Sequence, residues 1–243
     1  MTWPEAAARG IDDLEHGPVF TDTEFVAGKK PDQCPGAAAG SAAWAKLDIS
    51  GPEVQGLIRD LVARHVAVTS TLPVFEASTI NAPPNPRALE AMAPSQMQSF
   101  LAARSGVTPE GNARTTALIK KEMEFEHAFA QAGGLLLAGP DPTGNGGTIP
   151  GFGDWRELEL LVQAGFTPLE AIKIASYNGA QYLGRLEQIG SIAPGKQADL
   201  VVVHGDPSSK IEDIEKVEMV FKKGVGYDSL KLIESVRGQV GVH

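Results

Sequence analysis

The chain has 243 residues, with 21 Lys+Arg against 30 Asp+Glu for a net charge of −9, and a single cysteine. That length suits one large domain or two small ones, and an apolar content of 42% excludes wholesale disorder. The acidic balance argues against a nucleic-acid partner, no stretch approaches the roughly 20 apolar residues of a membrane helix, and Cys34 has no mate for an internal disulfide.

Met1-Thr-Trp-Pro-Glu5 carries neither the basic nor the apolar stretch of a secretory leader, so a cytoplasmic location is expected for the chain as given, with secretion of a longer form left open. Asp12 to His16 reads as a short extended segment, ending at Gly17, where the backbone or a ligand can approach closely. After a polar loop, Ser50 and Glu53 have the spacing of a capping box, and Val54, Leu57, Ile58, Leu61 and Val62 recur at helical spacing. A helix is therefore expected from Glu53 to about His65. Val66 to Leu72, rich in β-branched residues, follows as a buried strand. Helix and strand in such close succession are the rhythm of an α/β fold with a parallel sheet.

Residues 75–111 read as an irregular excursion, with the prolines between Ala82 and Pro86 opposing regular structure; an active-site lid and a plain surface loop are equally open readings. Helical pattern returns from Asn112 to Gln131. Gly133 to Ala138 reads as a strand stopping at Gly139-Pro140-Asp141. Asp154 with Glu157, and Thr167 with Glu170, are two further capping-box candidates, the second with Pro168 at the favoured first helical position. Beyond Gln188 the period shortens: 189–192, 198–203 and 217–221 read as strands of a small β appendage, and Ser229 to Arg237 as a closing helix.

In parallel α/β folds chemistry gathers at the carboxyl ends of strands. His16 and Asp141 stand out by that rule, since an imidazole and a carboxylate from different strands suit zinc or a similar divalent ion. Each also has a plainer reading, His16 as an ordinary strand-end residue and Asp141, before Pro142, as a turn former. The loop Gly139–Gly153 lacks the ending of a phosphate-binding loop and reads as a loop over a pocket. His65 suits a helix C-terminus. His127, among Glu122, Glu124 and Glu126, reads as part of a solvated helix face, His204 as a turn residue and Cys34 as an inert thiol. Arg87, Arg114 and Lys120 lie where they could meet a substrate carboxylate, although solvated surface charge is the simpler role.

The segment Ile189-Gly-Ser-Ile-Ala-Pro-Gly-Lys-Gln-Ala-Asp-Leu-Val-Val-Val203 resembles the C-terminal signature of metal-dependent amidohydrolases, including imidazolonepropionase-like and dipeptidase-like members. Glu157 to Ile172 and Ala175 to Ala180 resemble the last barrel helices of that superfamily, Ala138-Gly-Pro-Asp141 its strand-8 motif, and Ala8 to Gly17 its strand-6 motif. The resemblance spans nearly the whole chain apart from residues 75–111. It implies a partial TIM-type (β/α) barrel, the last three βα units, over residues 1–187, and the C-terminal part of a composite β-sandwich with a tail over 188–243. His16 would be the strand-6 metal ligand. Asp141 would be both a metal ligand and the catalytic group that handles the proton of the attacking water, with zinc, iron or manganese as cofactor. The family's remaining ligands, a His-x-His pair on strand 1, a carbamylated Lys or carboxylate near strand 4 and a His on strand 5, have no counterpart here.

The expected function is therefore metal-dependent hydrolysis of a C–N bond (amide, imide or dipeptide) in a small-molecule or dipeptide-like substrate, weak or absent in this chain alone. A homo-oligomer or a complementing N-terminal segment is the expected partner. The rival reading is a non-catalytic α/β fragment acting as an interaction or binding module. The two diverge on whether His16 and Asp141 come within about 5 Å, the reach of one shared ion.

Overall fold

The computed structural model describes residues 1–31, 33–142 and 147–241. Helix α1 (Trp3–Ala7) leads into strand β1 (Asp13–Glu15), and α2 (Ala37–Trp44) and α3 (Pro52–Ala63) cross to β2 (Ala67–Ser70). Four helices follow: α4 (Leu72–Glu76), α5 (Pro86–Ala91), α6 (Pro94–Ser105) and the long α7 (Pro109–Gln131), which delivers the chain to β3 (Leu136–Ala138). Then come α8 (Phe152–Gln163), α9 (Pro168–Lys173), a π-helical turn over Ile174–Asn178 and α10 (Gly179–Tyr182). Strands β4 (Leu200–Val203), β5 (Val217–Lys222) and β6 (Val225–Asp228) precede α11 (Ser229–Ser235).

The first three strands form a parallel sheet in the order β1-β2-β3, with Leu14 opposite Val68 and Val68 opposite Leu136. Parallel strands need a helical crossover, and both crossovers supply the cover that buries the sheet. Val54, Leu57, Ile58 and Leu61 form the buried stripe of α3, matching the helical spacing of the sequence. They pack with Val68, Leu136, Leu161 and an aromatic group in which Trp3 and Trp44 meet Phe125 edge-on, at 5.9 and 5.8 Å between ring centroids. The second sheet, β4-β5-β6, is antiparallel, and leaves Val201, Val202, Val225 and Tyr227 exposed. Among the described residues no helix is long and apolar enough to cross a membrane.

Several expectations need correction. Residues 75–111 are mostly helical: Pro86, Pro94 and Pro109 each occupy the first turn of a helix, where a missing N–H loses nothing. Those three prolines start helices instead of breaking them, while Pro83 and Pro84 lie in irregular chain as expected. Ser50 is not a cap; its amide and hydroxyl both donate to Asp48, and Gly51 takes the N-cap position. Asp154 lies at N3 of α8, not at its N-cap, and accepts the Gly151 amide at 2.9 Å. Residues 189–192 form turns, not a strand, while β6 escaped the sequence reading. Thr167 and Glu170 do form the expected reciprocal cap, the Thr167 amide donating to Glu170 at 2.8 Å and the Glu170 amide to Thr167 Oγ1 at 3.3 Å. The closing helix stops at Ser235, two residues short of the expected end.

Candidate functional site

His16 leaves β1 with a φ of 75°, and Gly17 follows at 64°. A side chain at Gly17 is excluded on two counts. The backbone lies in the left-handed region, and a Cβ there would fall 1.7 Å from Glu122 Oε1. What approaches Gly17 closely is therefore a side chain of the protein's own α7. Asp141, three residues past β3, also has positive φ, 44°. Both residues belong to the few types that tolerate this region, and such strain concentrates at functional sites.

The imidazole of His16 shares a hydrogen bond with Thr71 Oγ1 through Nδ1, at 3.0 Å, and Thr71 follows directly on β2. Its other nitrogen, Nε2, lies 3.7 Å from Asp141 Oδ2, and each side chain keeps over a third of its surface exposed. Three consecutive strands thus contribute one residue each to the same mouth: His16 after β1, Thr71 after β2, Asp141 after β3. Phe75, stacked on Phe20 at 3.8 Å, meets the His16 ring edge-on at 6.0 Å. Two ligands about 2.0–2.2 Å from one ion lie roughly 3–4 Å apart, so Nε2 and Oδ2 have a suitable separation to share a divalent cation. Thr71 fits that role too, since a ligating imidazole generally has its other nitrogen hydrogen-bonded. Among the described residues no third His, Cys, Asp or Glu completes a metal-holding group.

Beneath this mouth lies a feature the sequence reading missed. Glu122 and Glu126 of α7 and Glu157 of α8 are completely or almost completely buried. They are not part of a solvated face. Glu122 accepts the Val19 amide at 3.0 Å, and Glu126 accepts the Ser70 hydroxyl at 2.9 Å. Burial pushes the Glu122 and Glu157 carboxyls up to about 8, the Val19 amide moderating the first and the nearby Ser70 hydroxyl and Leu72 amide the second. Glu126 is also raised, by burial and then by its two carboxylate neighbours. The signal was present: Leu118, Glu122, Phe125 and Phe129 share one helix face, so a carboxylate interrupts an apolar stripe.

The remaining candidates lie elsewhere. His127 is half-buried, its ring tilted against Phe166 at 5.0 Å. His65 sits just past α3 with φ 58°, and exposed His204 pairs with Glu218 at 3.3 Å. Arg87 binds Glu215 at 3.1 Å and lies over the Trp155 ring, while Arg114 and Lys120 are exposed on α7. Cys34 is an exposed free thiol. Within the loop 139–153, residues 143–146 lie outside the described residues, and Gly147, Thr148, Ile149 and Gly153 line a cavity.

The amidohydrolase family profile matches residues 100–226. Ochratoxinase of Aspergillus niger is 31% identical over 124 residues, 50% of this chain and 24% of that protein. An adenine deaminase of Rhizobium meliloti is 35% identical over 71 residues, 29% of this chain and 12% of that protein. Among solved structures, a bottromycin amidohydrolase superposes with a TM-score of 0.60 at 20% identity over 96% of this chain and 48% of that one. A Xaa-Pro dipeptidase with methionine in its active site gives 0.58 at 19% over 93% and 42%. The chain therefore spans a quarter or less of these two curated relatives and under half of these two structures. The α/β fold is that of amidohydrolase domains, and with the profile covering more than half of its residues, the chain belongs to the amidohydrolase family.

Proposed function

We propose that the chain is the C-terminal portion of a metal-dependent hydrolase of C–N bonds, with residues 1–187 part of a (β/α) barrel and 188–243 part of a composite β-sandwich and tail. The observation that carries this reading is the 3.7 Å approach of His16 Nε2 to Asp141 Oδ2 from the ends of two strands separated by a third. His16 and Asp141 would hold a divalent ion, zinc first and iron or manganese next. Such an ion supplies Lewis acidity, polarising an amide carbonyl and acidifying water.

The protein's own contribution follows from the contacts. Thr71 Oγ1 engages Nδ1, which fixes the ring plane and directs Nε2 toward Asp141. Asp141, half exposed at the mouth, takes the proton of the attacking water and returns it to the leaving amine. Phe75 and Phe20 wall one side and limit water there.

Two protein ligands hold an ion less firmly than the three or four of a complete site, so weak metal binding and little or no turnover are expected of the chain by itself. The open edges of β1 and β3 and the exposed valines of the second sheet favour a partner segment that adds strands to both. The rival reading, a non-catalytic interaction module, predicts no metal at this pair.

Elemental analysis and zinc titration of the purified chain, its His16→Ala variant and its Asp141→Ala variant decide the matter. The expected result is one weak site per chain, lost in both variants. Background metal in all three, or a site that survives both substitutions, overturns the assignment of this pair.

A further inference from the structure

Residues 73–104 and 147–159 together line a cavity. Helices α4, α5 and α6, the turn at residues 82–86 and the start of α8 enclose a space of about 370 Å³, within the roughly 300–1,000 Å³ range of small-molecule pockets. Its wall is mainly apolar: Pro73, Leu89, Met92, Phe100, Ile149 and Phe152. The charged groups around it are matched. Arg156 grips Glu76 with two hydrogen bonds of 2.7 and 2.8 Å and Glu159 with a third of 2.5 Å. Arg104 donates to the carbonyls of Thr79, Ile80 and Ala82, and Arg87 holds Glu215. A charged ligand group would have to displace one of these pairs.

The cavity wall is tied to the elements of the mouth at two places. Glu76, in its wall, follows Phe75, whose ring meets His16. Gly153, also in its wall, packs so closely on Pro140 that a Cβ there would come within 2.8 Å of the proline ring, and Pro140 precedes Asp141. These chain links and the Pro140 contact set the cavity wall beside the elements that carry His16 and Asp141.

We propose that this cavity is a specificity pocket for a bulky, uncharged, apolar substituent of an amide substrate. The identification of the occupant as part of a substrate rests on the hydrolase reading, whereas its apolar, uncharged chemistry rests on the cavity alone. Residues 75–111 thus form a built binding wall.

Titration calorimetry on the full chain, with and without EDTA, tests it using three probes: N-acetyl-leucinamide, N-acetyl-glycinamide and N-acetyl-glutamate. Saturable binding of the leucinamide, at least tenfold tighter than either other probe and unchanged by EDTA, is expected. Ala77→Trp, which fills the cavity, and Leu89→Lys, which places a charge in its wall, should each weaken that binding at least tenfold. Circular dichroism melts confirm that both variants fold, and a variant that does not is replaced by the other. No saturable binding, equal binding of all three probes, or undiminished binding by both folded variants overturns the pocket. Because these measurements need no metal, a pocket that binds while zinc titration fails overturns only the hydrolase reading, and the converse overturns only the pocket.

Discussion

The described residues form two three-stranded sheets of opposite character. In the parallel sheet Val68 and Leu136 are fully buried against α3 and α7 residues of the main core, and the mouth at the strand ends gathers His16, Thr71 and Asp141. In the antiparallel sheet every residue of β6 is exposed, and β4 presents Val201 and Val202 to solvent. The exposed sheet is the richer in β-branched residues, with six valines against Val68 and Thr69 in the buried one, so strand composition does not set the environment. The difference lies in the connections: a parallel pair needs a long crossover that returns as cover, whereas an antiparallel hairpin closes in two residues and brings none. Stability and chemistry should accordingly be concentrated around the first sheet.

The contrast can be broken most directly in the aromatic core. Phe125→Ala removes the ring that both Trp3 and Trp44 meet edge-on, and should lower unfolding free energy by about 3–5 kcal/mol in urea titrations. A loss below about 1 kcal/mol would mean that the core under the parallel sheet is not the stabilising unit. The next effect is on pH. Glu122 and Glu157 titrate near the ordinary 4.5 when unfolded and near 8 when folded, so between those values the native state retains protons that the unfolded chain has released. Stability from this source is full below about pH 4.5 and is lost as pH rises toward 8, by up to about 3 kcal/mol per group between pH 5.5 and 8. Glu122→Gln should flatten that slope, and a urea midpoint that climbs from pH 5.5 to 8 would refute the buried neutral carboxyls.

A smaller effect sharpens the comparison at a helix end. Thr167→Ala removes a reciprocal cap and should cost about 1 kcal/mol, read as a lower urea midpoint. At the other extreme, Val201→Thr on the exposed sheet should change stability by less than about 0.5 kcal/mol. A larger loss there would show that β4 is covered in solution, as by a second copy or a complementing segment.

What could be read in advance follows the same division. The stripe on α3, the cap at Thr167 and the placing of His16 and Asp141 at strand ends were legible because each depends on neighbours close in the chain. The helices within 75–111 were not, because proline reads as a breaker unless its position within the first turn is known. Thr71 was missed because its hydrogen bond spans 55 residues, and Ser70 because its bond to Glu126 spans 56. The buried glutamates were visible as an interruption of an apolar stripe, but their neighbours on the helix, His127 and Glu124, gave that stretch a polar look.

The backbone at His16 and Asp141 has a consequence for how this protein can change. Both residues hold a left-handed conformation that asparagine adopts with less strain than most side chains. The backbone therefore does not oppose Asn at either position, although Asn removes an imidazole or a negative charge from the mouth. Only selection on chemistry opposes that change. The backbone at these two positions is thus no record of their chemistry: it accepts a residue without it.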